Sequence, residues 1–211
     1  MQNLDSIADR IRQNLSAKNA ARDNAVERSR TLIRHCSLAI RAVHRGEREE
    51  AQKQIRVARE IVQAVGEDLA AYPDLYHAGY SQDALKEFAE ANIVYALVNG
   101  EPLPEPEALG VEYAAYLNGL GEAAGELRRR CLDIMRHGYT EEAERLLEVM
   151  DEIYLLLVTM DYPDAITGGL RRTTDLVRGV TERTRGDLTL SLRQQKLQEA
   201  LKSFEERNQK S

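Results

Sequence analysis

The sequence has 211 residues, and its 29 lysine and arginine side chains against 35 aspartate and glutamate side chains give a net charge of −6. With 43% hydrophobic residues the chain can bury one sizeable core, which excludes an intrinsically disordered protein. The net charge alone argues against a nucleic-acid partner, but it is unevenly divided. Residues 1–66 carry +5, residues 67–169 carry −15 and residues 170–211 carry +4, so an acidic middle lies between two basic flanks.

The residue types favour helices throughout. The chain has no tryptophan and two phenylalanines, and it is rich in alanine, leucine, glutamate and arginine, which are strong helix formers. No apolar run is longer than that of residues 153–158, which is far shorter than the ~20 residues that span a membrane. The amino terminus has no apolar signal-peptide core, and Cys36 and Cys131 have no CxxC partner. We therefore expect an all-α protein with no membrane segment and a cytoplasmic location.

Apolar residues in the first part of the chain recur on one helical face. They predict a single helix of about 40 residues, roughly 60 Å long, that ends at Gly46. The apolar positions are Leu4, Ile7, Ile11, Leu15, Ala25, Leu32, Cys36, Ala39 and Val43. Because a small monomer cannot cover so long a helix, we expect its first half to pack on another subunit or another long helix.

Start and stop residues predict the next two helices. Glu49 and Glu50 open the second helix, since acidic side chains favour a helix N-terminus, and Pro73 stops it. Ser81 is a good N-cap for the third helix, which ends at Gly100.

The second half of the chain predicts three further helices and a tail. Residues 101–110, rich in proline and glutamate, are predicted as an exposed loop. The fourth helix follows over about residues 111–136, Thr140 caps the fifth, and the sixth covers about residues 170–185. Beyond Gly186, leucines at helical spacing indicate a last, more exposed helix.

Together these elements predict a single-domain bundle of about seven helices. Residues 1–186 form the bundle and residues 187–211 a helical extension of the same domain. The segments after Arg45 and His137 both contain glycine, Glu-Glu-Ala and a closing Glu-Ile at the same spacing. A duplicated hairpin would explain this similarity, and so would two helices that start with the same chemistry.

Two predicted helices carry carboxylates about one turn apart. Asp83, Glu87 and Glu90 lie on one stripe of the third helix, which becomes apolar almost all round further on. Glu122 and Glu126 are spaced i and i+4 in the fourth helix.

Three glycines surround that second pair of carboxylates: Gly119, Gly121 and Gly125. Glycine costs ~1 kcal/mol in a helix interior. Three in seven residues therefore indicate that a backbone or a ligand approaches closely.

Two such helices can form an oxygen-rich cage for Mg²⁺ or Mn²⁺. Two ions of this kind can stabilise the attacking and leaving oxygens of a phosphodiester. The alternative is that Glu126 pairs with Arg129 or Arg130 and that Glu87 and Glu90 are solvated. A ferritin-like di-iron site is disfavoured because the sequence has no Glu-x-x-His.

Arginines form two groups that suit phosphate contacts, although a solvated helix face would show the same pattern. The first group lies within an arc of the first helix, opposite its apolar face: Arg30, Arg34, Arg41 and Arg45. The second lies in the sixth helix: Arg171, Arg172, Arg178, Arg183 and Arg185.

The sequence resembles the translin family over about residues 24–186, most closely translin-associated factor X in an archaeal-type form. The resemblance depends on NAVERSRTLIRHCSLAIRAVHRG from residue 24, KEFAEA at residues 86–91, EYAAYLNGLGEAAGELRRRC at residues 112–131, and the arginine-containing helix that closes in TRG at residues 184–186.

The resemblance implies a helical bundle that assembles into a closed barrel, a homo-octamer or similar, with RNA or single-stranded DNA inside. It also implies a Mg²⁺-dependent endoribonuclease acting on single-stranded RNA. Glu87 and Glu90 match the family's first acidic pair, and Glu122 and Glu126 match the second. Glu122 is a departure, because the catalytic branch usually has aspartate there. The alternative is the plain translin type, a non-catalytic module that binds RNA or single-stranded DNA.

Overall fold

The structure, a computed structural model, describes residues 3–138 and 140–209, without the side chains of residues 140 and 209. Every element in this part of the chain is a helix, which confirms the all-α prediction. The helices are α1 (Leu4–His44), α2 (Arg48–Asp68), α3 (Pro73–Tyr76), α4 (Gly79–Asn99), α5 (Pro106–Leu109), α6 (Tyr113–Met135), α7 (Thr140–Val158), α8 (Asp164–Thr167) and α9 (Leu170–Gln209). Among these, α3, α5 and α8 are single turns of four residues.

Helix α1 has 41 residues, as its apolar period predicts. Its second half lies in the core, where Leu32 and Cys36 are almost fully buried. In its first half Ile11 and Leu15 are 53% and 58% exposed. Gly46 ends the helix with a positive φ of 72°, a conformation that glycine adopts without strain. The expectation that another subunit or another long helix covers the first half stays a prediction.

Helix α4 is buried on nearly all sides, and every side chain over residues 88–96 is buried. The N-cap prediction is wrong, because α4 already begins at Gly79 and Ser81 lies inside its first turn. The Ser81 hydroxyl instead donates a hydrogen bond of 2.9 Å to the carbonyl oxygen of Leu75, which joins α4 to α3. The helix ends as predicted at Gly100, with φ 68°.

The loop predicted over residues 101–110 contains one turn of helix, α5. Pro106 occupies its first position, where the missing N–H loses no intrahelical bond. The break predicted at Gly186 does not occur either, since α9 continues to Gln209. A single glycine weakens a helix by ~1 kcal/mol and does not by itself end it.

The tail of α9 is exposed, as predicted: Leu197 is 61% and Phe204 62% exposed. Helix α7 begins at Thr140, whose side chain lies outside the described part of the chain, so the capping prediction for it is untested.

The described residues form two compact units, the first ending at Gly119 and the second beginning at Leu120, so the boundary falls inside α6. In the first unit α1 packs against α2 and α4. In the second unit α7 packs against α9. Within the described ranges no helix combines the length and hydropathy that a membrane span needs.

Candidate metal centre and arginine surfaces

Helix α4 presents the first two candidate carboxylates. Glu87 is half-buried, and Glu90, one turn further, is only 7% exposed. An ionised carboxylate is costly to bury unless cations or hydrogen-bond donors compensate it. Asp83, on the same stripe of the helix, is exposed to solvent.

Helix α6 passes very close to the backbone of α4 at Gly119. A Cβ atom at this position would lie 2.8 Å from the carbonyl oxygen of Lys86 and 3.0 Å from the amide nitrogen of Glu90. The close backbone approach predicted from the glycines of α6 is therefore confirmed at Gly119. Both backbone atoms belong to the turn of α4 that carries Glu87 and Glu90.

Glu122 follows Gly119 by three residues in the same uninterrupted helix, so the adjoining turn holds its carboxylate. Glu87, Glu90 and Glu122 each offer a carboxylate oxygen, and these three atoms lie within 4.8 Å of one another. Oxygens bound to one cation at 2.0–2.6 Å are at most about 4 to 5 Å apart, so the three could hold one ion. A set of carboxylate oxygens suits hard cations such as Mg²⁺ and Mn²⁺.

The negative charges of Glu87 and Glu90 on α4 affect a buried thiol on α1. Burial raises the pKa of the Cys36 thiol well above its ordinary range, and the charges of Glu87 and Glu90 raise it further. Since α1 packs on α4, this thiol lies behind the carboxylates, in the core. Sequence patterns give no sign of this neighbour, because it depends on a contact between two helices.

Glu126, the fourth predicted ligand, lies one turn beyond Glu122 on α6. Its side chain is 27% exposed, and its Oε2 lies 3.8 Å from Nη1 of Arg129. That contact is the ion pair considered as the alternative to a metal ligand. The three-carboxylate group described above does not include Glu126.

The other two glycines of α6 differ from Gly119. A Cβ at Gly121 would lie 2.3 Å from Cγ2 of Thr173 and 3.3 Å from Cδ1 of Leu157, so side chains pack closely there. A Cβ at Gly125 would meet nothing within 4 Å. The sequence shows that close packing is needed on α6, but not which glycine provides it.

The arginines predicted on α1, Arg30, Arg34, Arg41 and Arg45, are all exposed. Arg45 also lies 2.7 Å from Oε2 of Glu47. The group therefore offers guanidinium groups to solvent along one helix of the first unit.

The arginines predicted on α9, Arg171, Arg172, Arg178, Arg183 and Arg185, are exposed as well. Three of them lie close to a carboxylate. The distances are 3.4 Å for Arg171 to Asp161, 3.5 Å for Arg178 to Asp175, and 2.6 Å for Arg185 to Asp151. These ion pairs reduce the positive charge that the α9 group presents.

A further basic groove was not predicted. It has a volume of about 380 Å³ and is lined by residues of α2 and α4 and by the segment before α5, among them Arg56 and Arg59. Arg59 donates a hydrogen bond of 2.9 Å to the carbonyl oxygen of Ala108, and its guanidinium lies 5.8 Å from the ring centre of Phe88. The spacing of basic residues along α2 is the sequence feature from which this groove could have been predicted.

Comparison with known proteins places the fold. No family model matches the chain. It is 30% identical over 190 residues to an uncharacterized protein of Methanocaldococcus jannaschii, with 89% of this chain and 84% of that protein covered. The structure of apo-NeC3PO matches with a TM-score of 0.80 and 23% identity, covering 87% of this chain and 96% of that one.

Two structures of AfC3PO are similar in sequence as well as in fold. One matches with a TM-score of 0.80 and 33% identity, and covers 87% of this chain and 96% of that chain. The other, a complex of AfC3PO with duplex RNA, matches with a TM-score of 0.77 and 34% identity over 87% and 95% of the two chains. The fold is thus that of the C3PO proteins. The chain belongs to the C3PO family of translin and translin-associated factor X, which confirms the resemblance seen in the sequence.

Proposed function

We propose that this protein is a metal-dependent endoribonuclease that hydrolyses RNA phosphodiesters. The observation that carries the proposal is the group of three carboxylates, Glu87, Glu90 and Glu122, with oxygens within 4.8 Å of one another. In the proposal Glu126 completes the set, and the four side chains hold one or two Mg²⁺ or Mn²⁺ ions. A bound divalent cation would supply Lewis-acid stabilisation of the scissile phosphate and would lower the pKa of an attacking water.

The carboxylates have different roles in this proposal. Glu90, the most buried, serves as a fixed ligand, because neighbouring atoms restrict its movement. Hydrolysis also needs a group that accepts the proton of the attacking water. Glu87 and Glu126 are more accessible than Glu90 and are the better candidates for that step.

RNA is the proposed substrate because AfC3PO was crystallised with duplex RNA. The exposed arginines of α1 would hold the phosphates of the substrate, with Arg171, Arg172 and Arg178 of α9 as a second contact. Single-stranded RNA remains the proposed substrate for cleavage, and single-stranded DNA is a further ligand to test. The proposal includes assembly into a homo-octamer or similar barrel, and a monomeric mass by light scattering would contradict it.

The decisive experiment incubates purified protein with labelled single-stranded and duplex RNA, in Mg²⁺, in Mn²⁺ or in chelator. Glu90→Gln removes a charge from the three-carboxylate group, and Asp83→Asn removes one from the exposed turn of the same helix. We expect metal-dependent cleavage by the parent and by Asp83→Asn, and none by Glu90→Gln. Cleavage that survives the chelator, or that Asp83→Asn loses equally, would contradict the proposal.

The second candidate is a binding module of the translin type without catalytic activity. One observation favours it: position 122 holds glutamate where the resemblance to the catalytic branch implies aspartate. One extra methylene can displace a ligand by about 1 Å, and a displacement of that size can cost about 10²-fold in rate. Salt-sensitive RNA binding without cleavage in either metal would support this candidate.

A further inference from the structure

The contact between α6 and α4 at Gly119 leaves no room for a side chain. The atoms that a Cβ would meet at 2.8 Å and 3.0 Å are the carbonyl oxygen of Lys86 and the amide nitrogen of Glu90. The Cβ of Ala89 would also lie 3.0 Å away. Backbone atoms inside a buried helix cannot rotate aside as a flexible side chain can. A methyl group at position 119 would therefore push the two helices apart by a few tenths of an ångström.

This contact lies beside the candidate metal ligands. Glu87 and Glu90 belong to the turn of α4 that Gly119 touches, and Glu122 follows Gly119 by one turn on α6. Gly119 therefore limits how closely α6 can approach the turn of α4 that carries two of the three carboxylates. Metal–oxygen distances are about 2.0–2.1 Å for Mg²⁺ and about 2.3–2.6 Å for Ca²⁺. A few tenths of an ångström is the size difference between these cations.

We infer that Gly119 is a positioning residue that fixes which cation size Glu87, Glu90 and Glu122 accept, so that the site prefers Mg²⁺ and Mn²⁺ to Ca²⁺. Gly119 makes no contact with the ion in this proposal, and it acts only through the helix spacing. The inference rests on the proposed function, because it requires that these carboxylates bind a divalent cation.

Helix α6 supplies two matched controls for the substitution Gly119→Ala. Gly125→Ala adds the same methyl group six residues later, where nothing lies within 4 Å. Gly121→Ala adds it about 200° around the helix, against Thr173 and Leu157, so it strains the packing of the second unit. The first control reports the effect of alanine in the helix, and the second reports a general loss of stability.

The experiment titrates each folded protein with Mg²⁺, Mn²⁺ and Ca²⁺ in the absence of RNA. Calorimetry gives the affinities, and the thermal midpoint gives the stability with and without each ion. We expect Gly119→Ala to shift the ratio of Mg²⁺ to Ca²⁺ affinity toward Ca²⁺ by about tenfold or more, the scale seen when residues that support metal ligands change. Gly125→Ala should leave the ratio unchanged, and Gly121→Ala should lower the thermal midpoint without changing the ratio.

An unchanged ratio in Gly119→Ala, or an equal loss of affinity for all three ions, would overturn the inference. A parent protein that binds none of the ions would instead overturn the proposed function. If Gly119→Ala does not fold, the experiment uses the double variant Gly119→Ala with Ala89→Gly. The second substitution removes one methyl group from α4 at the contact. The clashes with the two backbone atoms remain, so the same shift toward Ca²⁺ is expected in the double variant, and its absence would count against the inference.

Discussion

The acidic turn of α4 and the arginine face of α1 belong to the same compact unit, but their surroundings are opposite. Glu90 is 7% exposed and has the backbone of a second helix beside it, whereas Arg34 and Arg41 are exposed to solvent. Around Glu90 the neighbouring atoms fix the position of each group, so a small displacement there should change how the carboxylates bind a cation. On the open face mainly the number of charges matters, because solvent and salt screen each one.

The largest effect should follow a change among the clustered carboxylates. We expect Glu122→Gln to lower the RNA cleavage rate at saturating Mg²⁺ by about 10²-fold or more, because it removes one of three converging charges. Glu122→Asp keeps the charge and places there the residue that the resemblance implies for the catalytic branch, so its rate should stay far above that of the glutamine variant. Single-turnover cleavage assays provide the measurement. Equal rates in the parent and in Glu122→Gln would show that this clustered carboxylate matters no more than a single charge on the arginine face.

A buried group without a proposed role should respond to pH. Cys131 is fully buried, and desolvation raises the pKa of its thiol to about 11 from an ordinary value near 9. Well below pH 9 the thiol is neutral in both the folded and the unfolded chain. As the pH rises from 9 to 11, the unfolded chain ionises first and the free energy of unfolding falls. We expect a loss of about 2 kcal/mol, after allowance for partial solvent screening.

Urea unfolding of the parent and of Cys131→Ala, at pH 8 and at pH 11, isolates this contribution. The tyrosines and lysines titrate in both proteins, so only the difference between the two pH dependences belongs to Cys131. The alanine variant should lose less stability than the parent over this range. Parallel pH dependences would mean that solvent reaches the thiol in the folded protein.

On the open arginine face the effects should be smaller and graded. Each of Arg34→Ala and Arg41→Ala should weaken RNA binding and reduce the slope of log affinity against log salt by about 0.7 for a single strand, because each would remove one of the proposed phosphate contacts. Arg12→Ala, in the exposed first half of α1, is the control, since Arg12 lies 2.7 Å from Asp9. Fluorescence anisotropy in chelator separates binding from cleavage. An unchanged slope in both variants would assign RNA binding to another surface.

The sequence predicted the features that depend on one helix. The length of α1 and the burial of α4 follow from their apolar patterns, and the spacing of Glu87, Glu90 and Glu122 places each on the correct element. The N-cap prediction for Ser81 was wrong, because its hydroxyl donates a hydrogen bond to the carbonyl oxygen of Leu75 and so links α4 to α3.

For features that depend on contacts between helices, the sequence predicted that a close contact exists but not which residues make it. Three glycines in α6 indicated close packing, but the sequence could not show that Gly119 faces a backbone, that Gly121 faces side chains and that Gly125 faces open space. The effect of Glu87 and Glu90 on the pKa of the Cys36 thiol also depends on a contact between helices. A local pattern identifies which face of a helix is packed, and the partner of that face comes from residues distant in the chain.

The smallest effect should come from the one glycine of this group with open space around it. Gly125→Ala adds a methyl group that meets nothing within 4 Å and removes backbone freedom from the unfolded chain, so it should raise the free energy of unfolding by about 0.5–1 kcal/mol. Gly121→Ala, whose methyl group would lie 2.3 Å from Thr173, should lower it. Urea unfolding at pH 7 measures both. If Gly125→Ala were also destabilising, another contact must cover this position, and the contrast between crowded and open regions of α6 would fail at the residue where it is simplest to test.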